Sequence, residues 1–369
     1  MPVSKIDPMM ANSGVNVDDI KWVSAHDRVF SLHGVFYDEE RGMYARVPSR
    51  IAEKVSPGVA ELSLACSGGR LRFVSDSPYI GVRASVPAIM PMPHMTITGS
   101  HGFSVYTDGC FVQQIAPPVE AFLQGADFSA PMTSRIHFSR TRKIPDDGNR
   151  SEKLFEIYFP MYGGVAELYI GIQEGSVLKA APEYTYKKPI LFYGSSITQG
   201  ACVSRPGNDY VSMLARWLDS DYINLGFSGC GNAEKEMLDY IVSLDASVYA
   251  YDYNLYDSRP ERVLPPHYDI YKQIRSARPE AAVLLHDKPF SNGDSTYERR
   301  RGIIADTYER ACREGDRRVI HIAPEALLGK EHRDSCVADG SHPNDLGAMR
   351  MAQAMHGPIK AFLETYYTR

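Results

Sequence analysis

An antiparallel β-sandwich followed by an α/β domain with a parallel sheet is the architecture this sequence predicts, on three observations. The chain is 369 residues long, enough for about two domains. Hydrophobic residues make up 44% of it, ample for two packed cores. Its texture changes near residue 180, where short β-rich runs give way to alternating strand-like and helix-like segments. The expected division is 1–180 and 181–369, with the junction in 176–188 between Ala-Ala-Pro and Lys-Lys-Pro.

In the first half, residues 1–20 are polar and loosely patterned. The strand candidates are 70–74, 79–86, 102–107, 153–159 and 166–172, rich in β-branched and aromatic residues and separated by Gly, Pro, Asp and Ser clusters. Many short strands with few helical stretches predict a sandwich. In the second half the apolar runs are 189–193, 222–225, 247–251, 282–286 and 319–323. Helical spacing fills the gaps: a helix capped by Asn208, then helices near 232–243, 266–277, 295–314 and 344–365. Such alternation predicts a parallel sheet covered by helices on both faces.

Bulk properties exclude several classes. The net charge is -5 and no Lys/Arg-rich run occurs, so neither nucleic acid nor an anionic membrane is an expected partner. No apolar stretch has a membrane helix's length, and MPVSKIDPMMANSG lacks the pattern of a secretory leader. The six cysteines are scattered without a CxxC, so the expectation is a cytoplasmic protein with reduced thiols, no metal and no cofactor.

In parallel sheets, ligands bind beyond the carboxyl ends of the strands, which directs attention to the residues after each apolar run. GSSITQG at 194–200 turns out of the first run and exposes serine hydroxyls beside unclaimed backbone N–H groups. Alone, it is also an ordinary polar cap. DGSHPNDLG at 339–347 sets Asp339 three residues before His342. That spacing lets the carboxylate hold one imidazole nitrogen while the other faces a hydroxyl, although a surface pair has the same pattern. A serine hydroxyl needs such a base to become a nucleophile. NLGFSGCG places Gly229 in a turn, and Asn254 follows the 247–251 run. Both are candidate donors to an oxyanion.

Together, and in this order, these segments resemble the blocks of the SGNH, or GDSL-type, hydrolase superfamily over about 190–365. The resemblance implies a three-layer, flavodoxin-like catalytic domain and a serine esterase. Ser196 stands at the nucleophile position, with Ile197 and Thr198 after it; His342 and Asp339 match the base and its orienter. Ser196, Gly229 and Asn254 match the oxyanion-hole positions. Two departures stand out: Ser195 replaces the usual Asp before the nucleophile, and Asp252-Tyr253-Asn254-Leu255 replaces Gly-x-Asn-Asp. The first leaves Ser195 as a competing nucleophile; the second places Asp252 and Tyr253 where they narrow or polarise an acyl pocket. RLRFVSDS at 70–77 and MPHMTITGSHGFSVY at 92–106 resemble the jelly-roll-like sandwich that precedes SGNH domains in bacterial esterases. There Gly102-Phe103-Ser104-Val105-Tyr106 matches a Gly-x-Asp-Leu-Tyr pattern in part.

The implied reaction is removal of a short acyl group, acetyl foremost, from a carbohydrate, with a small-molecule or oligosaccharide ester as partner. Two rivals stay open: an acyltransferase using the same residues, and a carbohydrate-binding protein with a silent site. Homo-oligomer formation is compatible with the sequence. Cys202 and Cys230 flank the motifs but read as small buried hydrophobes. His267 and His286 read as structural, and His94 and Met95 as interface residues near the site. The stretch 297–318 reads as a solvated helix face, and the 23 tyrosines lean weakly toward sugar stacking.

Overall fold

The computed structural model describes residues 6, 15–87, 92–117, 135–145, 151–252, 266–289 and 297–367. Most of 1–14, and Tyr253, Asn254 and Leu255, lie outside the described residues. β1 (Ile20–Ser24), β2 (Ser31–His33), β3 (Phe36–Asp38) and β4 (Met43–Ala45) open the chain. β5 (Arg70–Ser75), β6 (Tyr79–Pro87), β7 (Phe103–Thr107) and β8 (Cys110–Ile115) follow. Then come β9 (Arg135–Lys143), β10 (Lys153–Tyr158), β11 (Glu167–Gln173) and β12 (Leu178–Ala180). They form an antiparallel sheet of order β1-β11-β6-β9, a second of order β12-β5-β10-β7-β8 with β2 also on β5, and a β3–β4 hairpin.

Period-2 patterning builds the sandwich. In β11, Leu168, Ile170 and Ile172 are buried while Glu167 and Tyr169 face out. They meet Leu71, Phe73, Val105, Phe155 and Ile157 of the second sheet in one core. The reverse face of that second sheet is buried too, because Tyr106, Tyr158 and Met161 pack into the core of the C-terminal half. The arginines of the alternating R-L-R-F run, Arg70 and Arg72, are therefore interior residues.

The second half contributes β13 (Tyr186–Gly194), β14 (Ser220–Gly226), β15 (Val248–Asp252), β16 (Ala282–His286) and β17 (Val319–Ile322). All pair parallel, in the order β14-β13-β15-β16-β17. Helices Tyr210–Leu218 and Asp345–Tyr366 cover one face. Helices Lys235–Ser243, His267–Ala277 and Tyr297–Arg313 cover the other. The order reverses at β13, so a doubly wound sheet's switch point falls between the ends of β13 and β15.

Three details depart from expectation. The helix after the first motif is capped by Asp209, whose Oδ1 accepts from Ser212 N at 2.9 Å; Asn208 instead joins the preceding turn, accepting from Arg205. Short helices at Ser49–Val55, Pro57–Leu62 and Ile97–His101 interrupt the strand-rich half. The first two supply Ala52 and Val59 to the core of the parallel sheet, which a local pattern cannot reveal. The tyrosines are largely structural: Tyr44, Tyr193, Tyr210, Tyr222, Tyr249 and Tyr251 are fully buried, so their abundance carries no signal for sugar.

Strand β14 lies at the sheet edge, with alternate carbonyls facing away from β13. Two arginines of the first half occupy them. Arg70 Nη1 donates to Tyr222 O at 3.2 Å, and Arg46 Nη1 donates to Asn224 O at 3.1 Å and Gly226 O at 2.7 Å. Arg46 also donates to Ala65 O and Leu62 O and stacks on Phe227. Burial pushes its guanidinium down to about 10, still charged at neutral pH. Arg70 pairs with Asp221, which also accepts from the His33 ring at 3.1 Å.

Replacing Arg46 with Met leaves four carbonyls without their donor. The expected cost is roughly 3 kcal/mol, read from denaturant unfolding. Burial raises the Asp221 carboxyl, but the His33 ring, the Arg70 charge and the Tyr222 N–H outweigh it and hold it at about 2. Folded Asp221 therefore binds a proton less readily than the unfolded chain, whose value is near 3.8. Its contribution, about 2 kcal/mol, is complete above about pH 4 and is lost as the pH falls toward 2. Asp221→Asn should cost that amount at pH 7 and progressively less below pH 4, in unfolding measured across pH.

Candidate active site

The first motif leaves β13 at Gly194 and folds at once into a one-turn helix, Ser196–Gln199. Ser195 caps it, its Oγ accepting from Ile197 N at 3.3 Å. Ser196 is the first helical residue, where a backbone N–H has no intrahelical acceptor. The turn sits directly on β14: a Cβ at Gly226 would lie 2.2 Å from Gln199 N, so only glycine permits this approach. Gln199, buried and not singled out by the sequence, fastens the turn. Its Oε1 accepts from Ser228 N at 2.9 Å, its Nε2 donates to Met161 O at 3.3 Å, and its carbonyl accepts from Ser67 Oγ at 2.6 Å.

The last motif is a tight loop before the final helix. Val337 bridges Pro343, and Ala338 N donates to His342 O at 2.8 Å. Asn344 caps the helix, accepting from Leu346 and Gly347, while its Nδ2 donates to Ser335 O. Within the loop Asp339 Oδ1 accepts from the N–H groups of Ser341 and His342, at 3.1 and 2.8 Å. Its Oδ2 lies 2.7 Å from His342 Nδ1. A carboxylate there assigns the ring proton to Nδ1 and leaves Nε2 as an acceptor. Nε2 lies 2.8 Å from Ser196 Oγ. Burial opposes ionisation of Asp339, but its bonds from His342 and Ser341 prevail and hold it at about 2.

Ser196, His342 and Asp339 thus form one chain of hydrogen bonds at the carboxyl end of β13. Gly229 follows β14 in a turn with φ 66°, a left-handed conformation that favours glycine, and open space faces its Cα. Asn254 lies outside the described residues. Ser195 is 4% exposed, and its Oγ faces Asp252 Oδ2 at 3.5 Å, the outer limit of a hydrogen bond.

Asp252 is buried below the turn. Arg300 lies 3.6 Å from it and 2.6 Å from Asp287. Burial raises both carboxyls, and Arg300 opposes this. Arg300 comes from the charged stretch read as a solvated face, yet it is 3% exposed. Its neighbours behave as expected, with exposed Arg310–Glu314 and Arg313–Glu309 pairs. His267 and His286 are buried and held neutral, at about 3 and about 4, chiefly by desolvation. Burial, then Asp339, pushes the Cys202 thiol up to about 11, unsuited to a nucleophile. The His94 ring lies 5.9 Å from that of His342, so the sandwich loop reaches the site.

Comparison with known proteins gives the family of both halves of the chain. Residues 187–360 match the GDSL-like Lipase/Acylhydrolase family, and residues 20–178 match the family described as the N-terminus of Esterase_SGNH_hydro-type. The chain belongs to the SGNH/GDSL-type hydrolase superfamily, in its form with an N-terminal β-sandwich. Among solved structures it is similar to a protein of Bacteroides ovatus described as a GDSL-like lipase. The TM-score is 0.75 at 25% identity, over 94% of this chain and 98% of that one. The salicylyl-acyltransferase SsfX3 of a tetracycline biosynthetic pathway shares the fold at TM-score 0.70 and 20% identity, over 96% and 100%. A family two carbohydrate esterase from Clostridium thermocellum, in complex with cellohexaose, does so at 0.55 and 14%, over 81% and 93%. No curated protein matches the chain. No helix among the described residues is long and apolar enough to cross a membrane.

A fluorophosphonate probe distinguishes the two serines. Ser195→Ala should still be labelled covalently, and Ser196→Ala should not, as read by intact mass.

Proposed function

We propose that this protein is a serine esterase that removes short acyl groups, acetyl foremost, from a carbohydrate. The observation that carries this reading is the continuous bond chain Ser196 Oγ, His342 Nε2, His342 Nδ1, Asp339 Oδ2 at 2.8 and 2.7 Å. Ser196 attacks the ester carbonyl as His342 takes its proton, and Asp339 stabilises the imidazolium. The oxyanion is held by the Ser196 and Gly229 N–H groups and, on sequence pattern alone, by the Asn254 amide. His342 then returns its proton to the leaving alcohol. Water, activated by the same ring, attacks the acyl-enzyme and frees Ser196. The carbohydrate part of the reading draws on the two-part architecture shared with the cellohexaose-bound esterase, which supports it at the level of fold.

A second reading is favoured by one observation: the likeness to the salicylyl-acyltransferase over nearly the whole of both chains. On that reading Ser196, His342 and Asp339 of this chain form the acyl-enzyme and an acceptor hydroxyl replaces water.

Hydrolysis of p-nitrophenyl acetate tests the chemistry. Ser196→Ala and His342→Ala should each lower kcat by about 10⁴–10⁶, and Asp339→Asn by about 10⁴. Undiminished turnover by Ser196→Ala overturns the assignment. Acetylated oligosaccharides, with and without acceptor alcohols and read by mass, separate hydrolysis from transfer.

A further inference from the structure

Beside the Ser196–His342–Asp339 chain, three side chains of different chemistry converge. An imidazole nitrogen of His94, the Sγ of Cys202 and a carboxylate oxygen of Asp339 all lie within 4.8 Å of one another. These are the nitrogen, sulfur and oxygen donors that a borderline-soft divalent cation binds together. They come from three separate segments that the fold stitches into one rim. Thr96 Oγ1 and Thr98 Oγ1 both donate to Ser204 O, at 3.0 and 2.7 Å, joining the His94 loop to the Cys202 loop. Ser204 N donates to Asp345 Oδ1 at 2.8 Å, joining that loop to the helix behind Asp339. A Cβ at Gly99 would meet Val203 O at 2.3 Å, so the contact between the first two segments is backbone-close. Cys202 itself adopts φ 69°, a left-handed conformation unusual for cysteine.

We propose that His94, Cys202 and Asp339 form an inhibitory zinc site on the rim of the active site. Metal-to-ligand distances of about 2.0–2.3 Å place tetrahedral ligand atoms about 3.5 Å apart, so the cluster closes by about 1 Å on binding. His94 is exposed on a short turn. Binding converts the Cys202 thiol to thiolate, its proton leaving to solvent. The ion takes a lone pair of Asp339, the carboxylate that holds His342 Nδ1 at 2.7 Å, and puts positive charge beside the imidazole. The ion thereby competes with His342 for Asp339, the contact that orients the ring toward Ser196. His94 and Cys202 make no contact with Ser196 in the bond chain above, so the inhibitory function separates from the proposed esterase chemistry.

The test uses the full chain with the metal alone as ligand. Cobalt(II), a zinc surrogate, should give a thiolate-to-metal charge-transfer absorption that Cys202→Ala abolishes and that needs no turnover. Zinc should slow p-nitrophenyl acetate hydrolysis. Measured against each variant's own metal-free rate, His94→Ala and Cys202→Ala should raise the zinc concentration for half-inhibition at least about tenfold, since even an outer partner of a metal site is worth about 10–100-fold in affinity. Absence of the cobalt band, or its persistence in Cys202→Ala, overturns the site. Unchanged zinc sensitivity in both variants does so too. Loss of esterase activity with the cobalt band intact would sink the esterase reading and leave the metal site standing.

Discussion

One edge of the parallel sheet, strand β14, is closed by arginine. Strand β14 offers the carbonyls of Tyr222, Asn224 and Gly226 on its unpaired side, and Arg70 and Arg46 take all three. A guanidinium is rigid and planar with several donors, so it can span alternate carbonyls as a neighbouring strand would. Much of the site hangs from this closure. Gly226 supports the Ser196 turn by direct contact, and Phe227, under the Arg46 guanidinium, starts the turn that holds Gly229. The sandwich is thus a structural member of the site, since it fixes the strand on which the nucleophile turn rests.

Charge is arranged at two depths. Asp339 and His342 are partly open to water, where a carboxylate stays ionised and an imidazole can exchange protons with solvent. Below them Asp252, Arg300 and Asp287 are dry. A single guanidinium between two buried carboxylates is a costly arrangement that persists only while all three partners remain. Its position under the β13 and β15 ends gives the Ser195 turn a polar floor.

The strand and helix pattern was legible because local periodicity caused it. Runs such as 282–286 and 166–172 correspond to strands within a residue or two, because burial on one or both faces dictates their composition. The candidate triad was picked out by the resemblance of its ordered motifs, and only the Asp339–His342 pairing by spacing; the structure sets Ser196 Oγ beside His342 Nε2 and His342 Nδ1 beside Asp339. What escaped was set by distant contacts. Arg46, Arg70 and Arg300 look like surface arginines in sequence; they are buried because their acceptors arrive from elsewhere, more than 150 residues later for the first two. Gln199 reads as a loop residue until Ser228 and Met161 are seen around it. Asp209 rather than Asn208 caps its helix for a local reason, a one-residue difference in where the chain leaves the turn.

The arginine closure also bears on the order in which the protein is made. Synthesis runs from the N-terminus, so Arg46 and Arg70 leave the ribosome long before residues 220–226 exist. Until then their donors face water, a state that charged groups tolerate well. The reverse order would be hazardous, because an uncovered parallel edge strand is a template for pairing with other chains. In this chain the cover is already waiting when the edge strand appears, so nascent chains are shielded from one another along this edge.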